Sequence, residues 1–293
     1  MDIQQLRYFL KVAQHQNFTR AAEEFDVSQP ALSQQILKLE DELGQPVFER
    51  QTRKVSLTPA GELLQKRAEH ILFLVDEVRS EITDDGQTGR LNIGAIPTIA
   101  PYFLPGLLKA FRETAPLAQC IIHEEVTENL LKSCSQGEVD IGFLALPVEA
   151  RYLDFETLFE EELLLVMPRD HRLTKLKRIT WQDMNTEPFV LLNETHCLTD
   201  QVVTFCRKKT TQPVSTGKTN QLATVLELVA LGHGVSLIPQ MARAVDTSDQ
   251  REYRSLAGEK PTRTIALCWN SYRYQTKLMK RFAEQVKEIV VSR

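Results

Sequence analysis

Residues 18–43 read FTRAAEEFDVSQPALSQQILKLEDEL, and this stretch decides how the N-terminal part of the chain folds. Ala21 and Ala22 are small enough to let two helices approach closely, and Asp26-Val27 is a short turn. Ser28 is a good N-cap, with Pro30 in the first turn, where its missing N–H costs little. Leu32, Ile36, Leu39 and Leu43 recur at helical spacing and are expected to be buried. That leaves Gln29, Ser33, Gln34 and Lys38 free on the other face. Two short helices joined by a tight turn, the second offering Gln and Ser near its N-terminus, suit a reader of the major groove. Upstream, Ile3, Leu6, Phe9, Leu10 and Ala13 give an amphipathic first helix.

Downstream, Pro46-Val47-Phe48-Glu49-Arg50 and Val55-Ser56-Leu57 flank residues 51–54, predicting a hairpin tipped by Arg50, Arg53 and Lys54. Cations on such a wing suit phosphates or the minor groove. Thr58-Pro59 then opens another helix with a cap and a first-turn proline. Residues 1–62 thereby resemble the winged helix-turn-helix of LysR-type transcriptional regulators. The resemblance rests on Ala21-Ala22, Ser28-Gln29-Pro30-Ala31-Leu32-Ser33, Phe48-Glu49-Arg50 and Leu57-Thr58-Pro59-Ala60-Gly61. It implies double-stranded DNA as a partner, contacted by Ser28, Gln29, Pro30, Ser33, Gln34, Lys38, Arg50 and Arg53, and RNA polymerase as the machinery regulated.

Leu64, Ala68, Ile71, Val75, Val78 and Ile82 follow a 3.5-residue repeat, the pattern of a coiled-coil seam. A homodimer through this helix would read two half-sites; the alternative is a helix packed on its own domain. A homotetramer is implied by the resemblance alone. Asp84-Asp85-Gly86-Gln87-Thr88-Gly89 is the expected hinge. The expected organisation is residues 1–62 as the DNA-binding domain, 63–89 as linker helix and hinge, and 90–293 as the effector domain.

From Leu91 strands and helices alternate, which predicts an α/β domain with mainly parallel sheets. Strands are expected at residues 91–96, 121–124, 139–144, 163–166, 189–192, 235–238 and 264–269. Thr98 and Thr127 each stand just past a strand end, where such sheets bind ligands. The resemblance implies two periplasmic-binding-protein-like subdomains with crossovers near residues 162 and 266.

Residues 191–210, LLNETHCLTDQVVTFCRKKT, carry the chemistry. Cys197 follows His196, and Cys206 precedes Arg207, Lys208 and Lys209; neighbouring cations or a helix N-terminus favour a thiolate. If one helix spanned both cysteines, its rise would separate their Cα atoms by ~13.5 Å. A disulfide tolerates at most ~7 Å, so the pair could bridge only if the backbone rearranged. The alternative is two unrelated cysteines, one or both buried as small hydrophobes.

This stretch, with Ile96-Pro97-Thr98 before Pro101-Tyr102 and His123-Glu124 before Thr127, resembles the peroxide-sensing members of the LysR family. The resemblance implies hydrogen peroxide as the effector, Cys197 as peroxidatic and Cys206 as resolving cysteine. Thr98, Thr127 and His196 would position peroxide, and Asp200 would support the local structure. A sulfenic acid at Cys197 would condense with Cys206, and a cellular disulfide reductant would reset the signal, so this is not an enzyme working in bulk. One departure stands out: familiar members carry arginine where this chain has Thr199. Two other readings compete, a regulator that binds a small metabolite in the crevice and a thiol peroxidase fused to a DNA-binding head.

Composition sets bounds on these readings. A hydrophobic fraction of 42% and a charged fraction of 25% are those of an ordinary soluble protein. The net charge of −4 argues against whole-molecule attraction to nucleic acid but not against local phosphate contacts. No apolar run approaches a membrane span, and the start shows no export signal, so no membrane partner is expected and the cytoplasm is the expected compartment. Five cysteines, an odd number, do not form a secreted framework. Cys120, Cys134 and Cys268 read as core residues, and His171 and His233 as loop and turn residues. No metal site is expected, because no CxxC or HxxxH spacing accompanies His196, Cys197 and Cys206. No cofactor is expected either, as no hydrolase, nucleotide or dinucleotide motif appears.

Overall fold

The computed structural model describes all residues except 52–53, 185, 194–196, 209–213 and 292–293. The side chains of residues 50–51, 54, 73, 76–77, 79–80, 83, 200, 206–208 and 214–218 also lie outside the described part. The chain forms two units, Met1–Thr83 and Asp84–Arg293.

In the first unit, α1 (Ile3–His15), α2 (Phe18–Glu23) and α3 (Gln29–Leu43) enclose a core of Leu6, Phe9, Val12, Leu32, Ile36 and Leu39. Local chemistry sets their ends. Asp2 and Gln5 form a capping box on α1, and the Asn17 side chain accepts from the Thr19 and Arg20 amides at 2.8 and 3.1 Å. Ser28 caps α3 by accepting from the Ala31 amide at 3.4 Å, and Gly44 ends that helix with φ 65°. Glu40 then ties α3 to the hairpin, accepting from the Val47 and Phe48 amides at 2.8 and 3.2 Å. Strands β1 (Phe48–Gln51) and β2 (Lys54–Leu57) pair antiparallel, with Gln51 opposite Lys54. Thr58 closes the unit: its hydroxyl donates to the Pro46 carbonyl at 2.7 Å and accepts from the Gly61 amide at 3.0 Å.

Two expectations change here. Leu43 is not buried but 40% exposed, because it lies one turn past Leu39, where α3 has outrun the core. The seam on α4 (Pro59–Thr83) is also divided. Ala68 is fully buried, and Leu64 and Ile71 pack on the unit's own core, whereas Val78 and Ile82 are 54% and 79% exposed.

The second unit begins with β3 (Gly89–Ala95), α5 (Ala100–Thr114), β4 (Ala118–Glu124), α6 (Thr127–Gln136) and β5 (Ile141–Leu146). Strand β3 pairs parallel with both β4 and β5. The long strand β6 (Leu153–Pro168) leaves this subdomain for a second one, which holds β7 (Pro188–Leu192), α7 (Cys197–Lys208), β8 (Val214–Thr219), α8 (Leu222–Ala230), β9 (Ser236–Pro239), α9 (Gln240–Val245) and β10 (Arg251–Arg254). The chain returns through β11 (Thr262–Asn270) and ends in α10 (Lys277–Val291). The expected α/β architecture with two subdomains is therefore present. One core gathers Ile93, Phe103, Phe111, Phe143 and Phe282; the other gathers Leu165, Phe189, Val190, Val225 and Leu237.

The crossing strands depart from the expected parallel order. Strand β11 runs antiparallel to β5 and β6, and β6 runs antiparallel to β9 and β10. The βαβ units remain parallel because their helices carry the chain back; the crossing strands simply pass between sheets. Strand β6 pairs β11 up to Glu162 and β9 from Leu163. The return lies at Pro261 and Thr262, earlier than residue 266, since Thr262 already pairs Glu162 and the Leu163 amide donates to the Pro261 carbonyl at 2.8 Å. Asp84 is fastened to the C-terminal segment: its carboxylate accepts from the Tyr274 hydroxyl at 3.2 Å, and its carbonyl accepts from Lys277 Nζ, at the start of α10, at 3.0 Å.

Candidate functional site

Where β6 and β11 cross between the subdomains, Arg263 is wholly buried. Its Nε and Nη2 face Glu161 Oε1 at 2.8 and 2.6 Å. Nη1 donates to the Thr98 hydroxyl at 2.8 Å, and Nη2 to the Thr98 carbonyl at 3.1 Å. The other Glu161 oxygen accepts from the Met241 amide at 3.1 Å, in the first turn of α9. One ion pair thus joins the loop after β3, both crossing strands and α9. A buried pair with its remaining hydrogen bonds made is tolerated, whereas a buried lone charge is not.

Helix α7 stands at the boundary of the two subdomains, and its two faces divide by helical spacing. Leu198 and Val202 sit in the second core. Thr199, also buried, donates through its hydroxyl to the Leu192 carbonyl at 2.9 Å, which ties the first turn of α7 to β7. Cys197 and Gln201, one turn apart, face the first subdomain: Gln201 Nε2 donates to the Leu146 carbonyl at 3.1 Å, and half-buried Cys197 packs against the first core. Both line a cleft of about 450 Å³ with Phe205, Pro147, Thr262, Arg263 and Thr264. That volume lies within the range of small-molecule sites.

The expected residues are only partly brought together. Cys197 and Arg263 share the cleft, and Thr98 hangs on Arg263. Thr127 opens α6 but is not among the cleft-lining residues. Its hydroxyl is buried without a protein hydrogen-bond partner, as are His123 Nε2 and Gln201 Oε1; buried polar atoms ordinarily find one. His196 and the side chains of Asp200 and Cys206 lie outside the described residues, although the backbone of residues 197–208 is one helix. Arg263 was missed by sequence reasoning. A lone arginine at a strand start carries no signal until Glu161 and Thr98 are seen around it.

On the first unit, Ser28, Gln29, Pro30, Gln34 and Lys38 are exposed and Ser33 is half-buried, while Leu32 and Ile36 face inward. The side chains of Arg50 and Arg53 lie outside the described residues. Cys134 and Cys268 are fully buried, and Cys120 is half-buried, its thiol pushed up by burial. Among the described residues no cluster of metal-ligating side chains occurs, and no helix is long and apolar enough to cross a membrane.

Comparison with known proteins agrees with this architecture. Residues 3–62 match the family "Bacterial regulatory helix-turn-helix protein, lysR family", and residues 84–290 match the LysR substrate binding domain. The chain is 36% identical to the DNA-binding transcriptional dual regulator OxyR of Escherichia coli (strain K12), over 100% of this chain and 96% of that protein. A full-length OxyR variant from Pseudomonas aeruginosa superposes with a TM-score of 0.73 at 34% identity, covering 99% of this chain and 94% of that one. An OxyR mutant from Corynebacterium glutamicum, solved with H2O2 bound, gives a TM-score of 0.66 at 31% identity, covering 99% and 94%. The chain belongs to the LysR family of bacterial regulatory helix-turn-helix proteins.

Proposed function

We propose that this chain is a DNA-binding transcription regulator that senses hydrogen peroxide through Cys197. The observation that carries the reading is the placement of Cys197 as the first residue of α7, on the wall of a cleft also lined by Arg263. A helix N-terminus favours the thiolate. The relatives' names support peroxide as the effector.

The Cys197 thiolate attacks one peroxide oxygen; the O–O bond breaks and the other oxygen leaves, with a proton, as water. The sulfenic acid then condenses with the Cys206 thiol, releasing a second water. Thr98, Thr127 and His196 position the peroxide, and Asp200 supports the α7 N-terminus. Since both cysteines lie on one helix, ~13.5 Å apart by its rise, the disulfide requires α7 to unwind. Unwinding withdraws Leu198 and Val202 from the second core, which is how a local oxidation reshapes the domain.

Ser28, Gln29, Pro30, Ser33, Gln34 and Lys38 read the operator, and Arg50 and Arg53 hold the DNA backbone. The chain dimerises through the open outer part of the α4 seam, Val78 and Ile82 included, and assembles to a homotetramer. The changed spacing of reading heads is passed to RNA polymerase, and a cytoplasmic disulfide reductant resets the switch.

Mass spectrometry after stoichiometric hydrogen peroxide tests this reading. A Cys197–Cys206 disulfide is expected, absent in Cys197→Ser, with a DNA footprint that differs between redox states. A Cys197 that stays a thiol would sink it. The cleft volume favours a second reading, a metabolite effector, under which Cys197→Ser would respond normally.

A further inference from the structure

The sensing scheme leaves three thiols unused, Cys120, Cys134 and Cys268, and two of them meet. Cys134 on α6 and Cys268 on β11 are both fully buried, and their sulfurs touch at 3.7 Å although the residues lie 134 positions apart. This closeness is built into the fold. Helix α6 packs on β11, and Cys268 pairs with Gly142 of the neighbouring strand β5. A Cβ at Gly142 would stand 2.7 Å from the Cys268 sulfur and 3.0 Å from that of Cys134. Only glycine leaves the pocket in which both sulfurs sit together.

We propose that Cys134 and Cys268 are a second redox pair, which forms a disulfide under oxidation stronger or longer than Cys197 requires. The oxidant is a hydroperoxide. One thiolate attacks its oxygen, the O–O bond breaks, and water or an alcohol leaves with a proton. The sulfenic acid so formed is attacked by the second thiol, and another water departs. Two thiols lose two electrons, and one peroxide is reduced. The sulfurs must close from 3.7 Å to about 2 Å, a movement that side-chain rotation and a small helix shift can supply.

Burial sets the order of events. The hydrogen bond with Cys268, and then burial, push the Cys134 thiol well above the usual range, and both sulfurs are shut off from solvent, so the closed pair does not attack peroxide. Oxidation waits for α6 to lift from the sheet, a local opening that costs free energy. The consequence falls on the site above. Thr127 opens α6, and Arg263 stands at the start of β11, so the crosslink fastens together the elements that carry them.

The test uses the full-length Cys197→Ser chain, reduced, exposed to excess hydrogen peroxide, alkylated and peptide-mapped. A Cys134–Cys268 disulfide is expected. It should form roughly tenfold or more slowly than Cys197 oxidises in the unsubstituted chain, because opening is required. Dithiothreitol should reverse it, Cys268→Ser added to the first substitution should abolish it, and closing so long a loop should raise Tm by several degrees. Two thiols that stay alkylatable after prolonged exposure would overturn the proposal. So would sulfinic acid in place of the disulfide, or a disulfide seen only above the unfolding transition. The disulfide is read in a chain without Cys197, so failure here leaves the Cys197–Cys206 switch untouched.

Discussion

Arg263 donates to both the hydroxyl and the carbonyl of Thr98, at 2.8 and 3.1 Å, while its remaining edge is neutralised by Glu161. Thr98 therefore owes its position to a residue on the last strand of the domain.

Removing that cation strands a buried carboxylate. Arg263→Ala is expected to destabilise the effector unit by about 3–5 kcal/mol. Arg263→Lys keeps the charge but loses the fork, which cannot then serve Glu161 and Thr98 together. Urea unfolding measures the first effect. The second should appear as slower Cys197 oxidation in a fold of near-normal Tm; an unchanged rate would detach Thr98 from the chemistry.

Gly61 packs against the backbone just before the hairpin. A Cβ there would lie 2.1 Å from the Val47 carbonyl oxygen, a backbone atom that cannot swing away. Gly61→Ala should cost about 1–3 kcal/mol by overpacking and loosen the wing on α4. Hydrogen exchange of residues 1–83 would register faster exchange at Val47 and Thr58.

Thr199 holds the first turn of α7 through the Leu192 carbonyl. Thr199→Val keeps the volume but leaves that carbonyl unpaired, at a cost of about 1–3 kcal/mol. Under the proposed switch the loss falls on the helical state that must unwind, so Cys197–Cys206 closure should accelerate. Stopped-flow peroxide oxidation, with quenched disulfide mapping, would show it; slower closure would count against unwinding as the limiting event.

Asp140 accepts from the Asn92 amide and side chain at 2.7 and 3.1 Å, yet burial raises its pKa above the ordinary 3.8 against these bonds and against Arg273 and Arg90. A carboxyl raised in the folded state stabilises fully below 3.8, and that contribution is lost as pH rises through the folded pKa. At neutral pH the charge is thus a cost. Asp140→Asn retains an acceptor without the charge, so its Tm should exceed the parent's at pH 7, and the advantage should shrink as pH falls through the folded pKa towards 3.8 and be gone below it.

Much of the first unit follows from local chemistry. Ser28 caps α3 through an amide three residues on, and Thr58 does the same for α4 through the Gly61 amide, so the starts of these helices are legible in order along the chain. Periodicity likewise separated Leu32 and Ile36 from Gln29 and Gln34. It did not show where the core ends, hence exposed Leu43, nor which part of the α4 seam its own unit uses. Both depend on what lies opposite the helix.

In the effector unit, alternation of strands and helices determined the α/β class and the parallel βαβ units, because those connections are local. Antiparallel crossing by β6 and β11 was not legible, since nothing in a strand's own residues names a partner a hundred positions away. Cys197 announced itself through its neighbours His196 and Cys206. Arg263 with Glu161, and Cys134 against Cys268, were settled only by the tertiary structure. The physical reason is the same in both cases. A buried charge or a thiol contact acquires its meaning from the group packed against it, and long-range packing alone supplies that group.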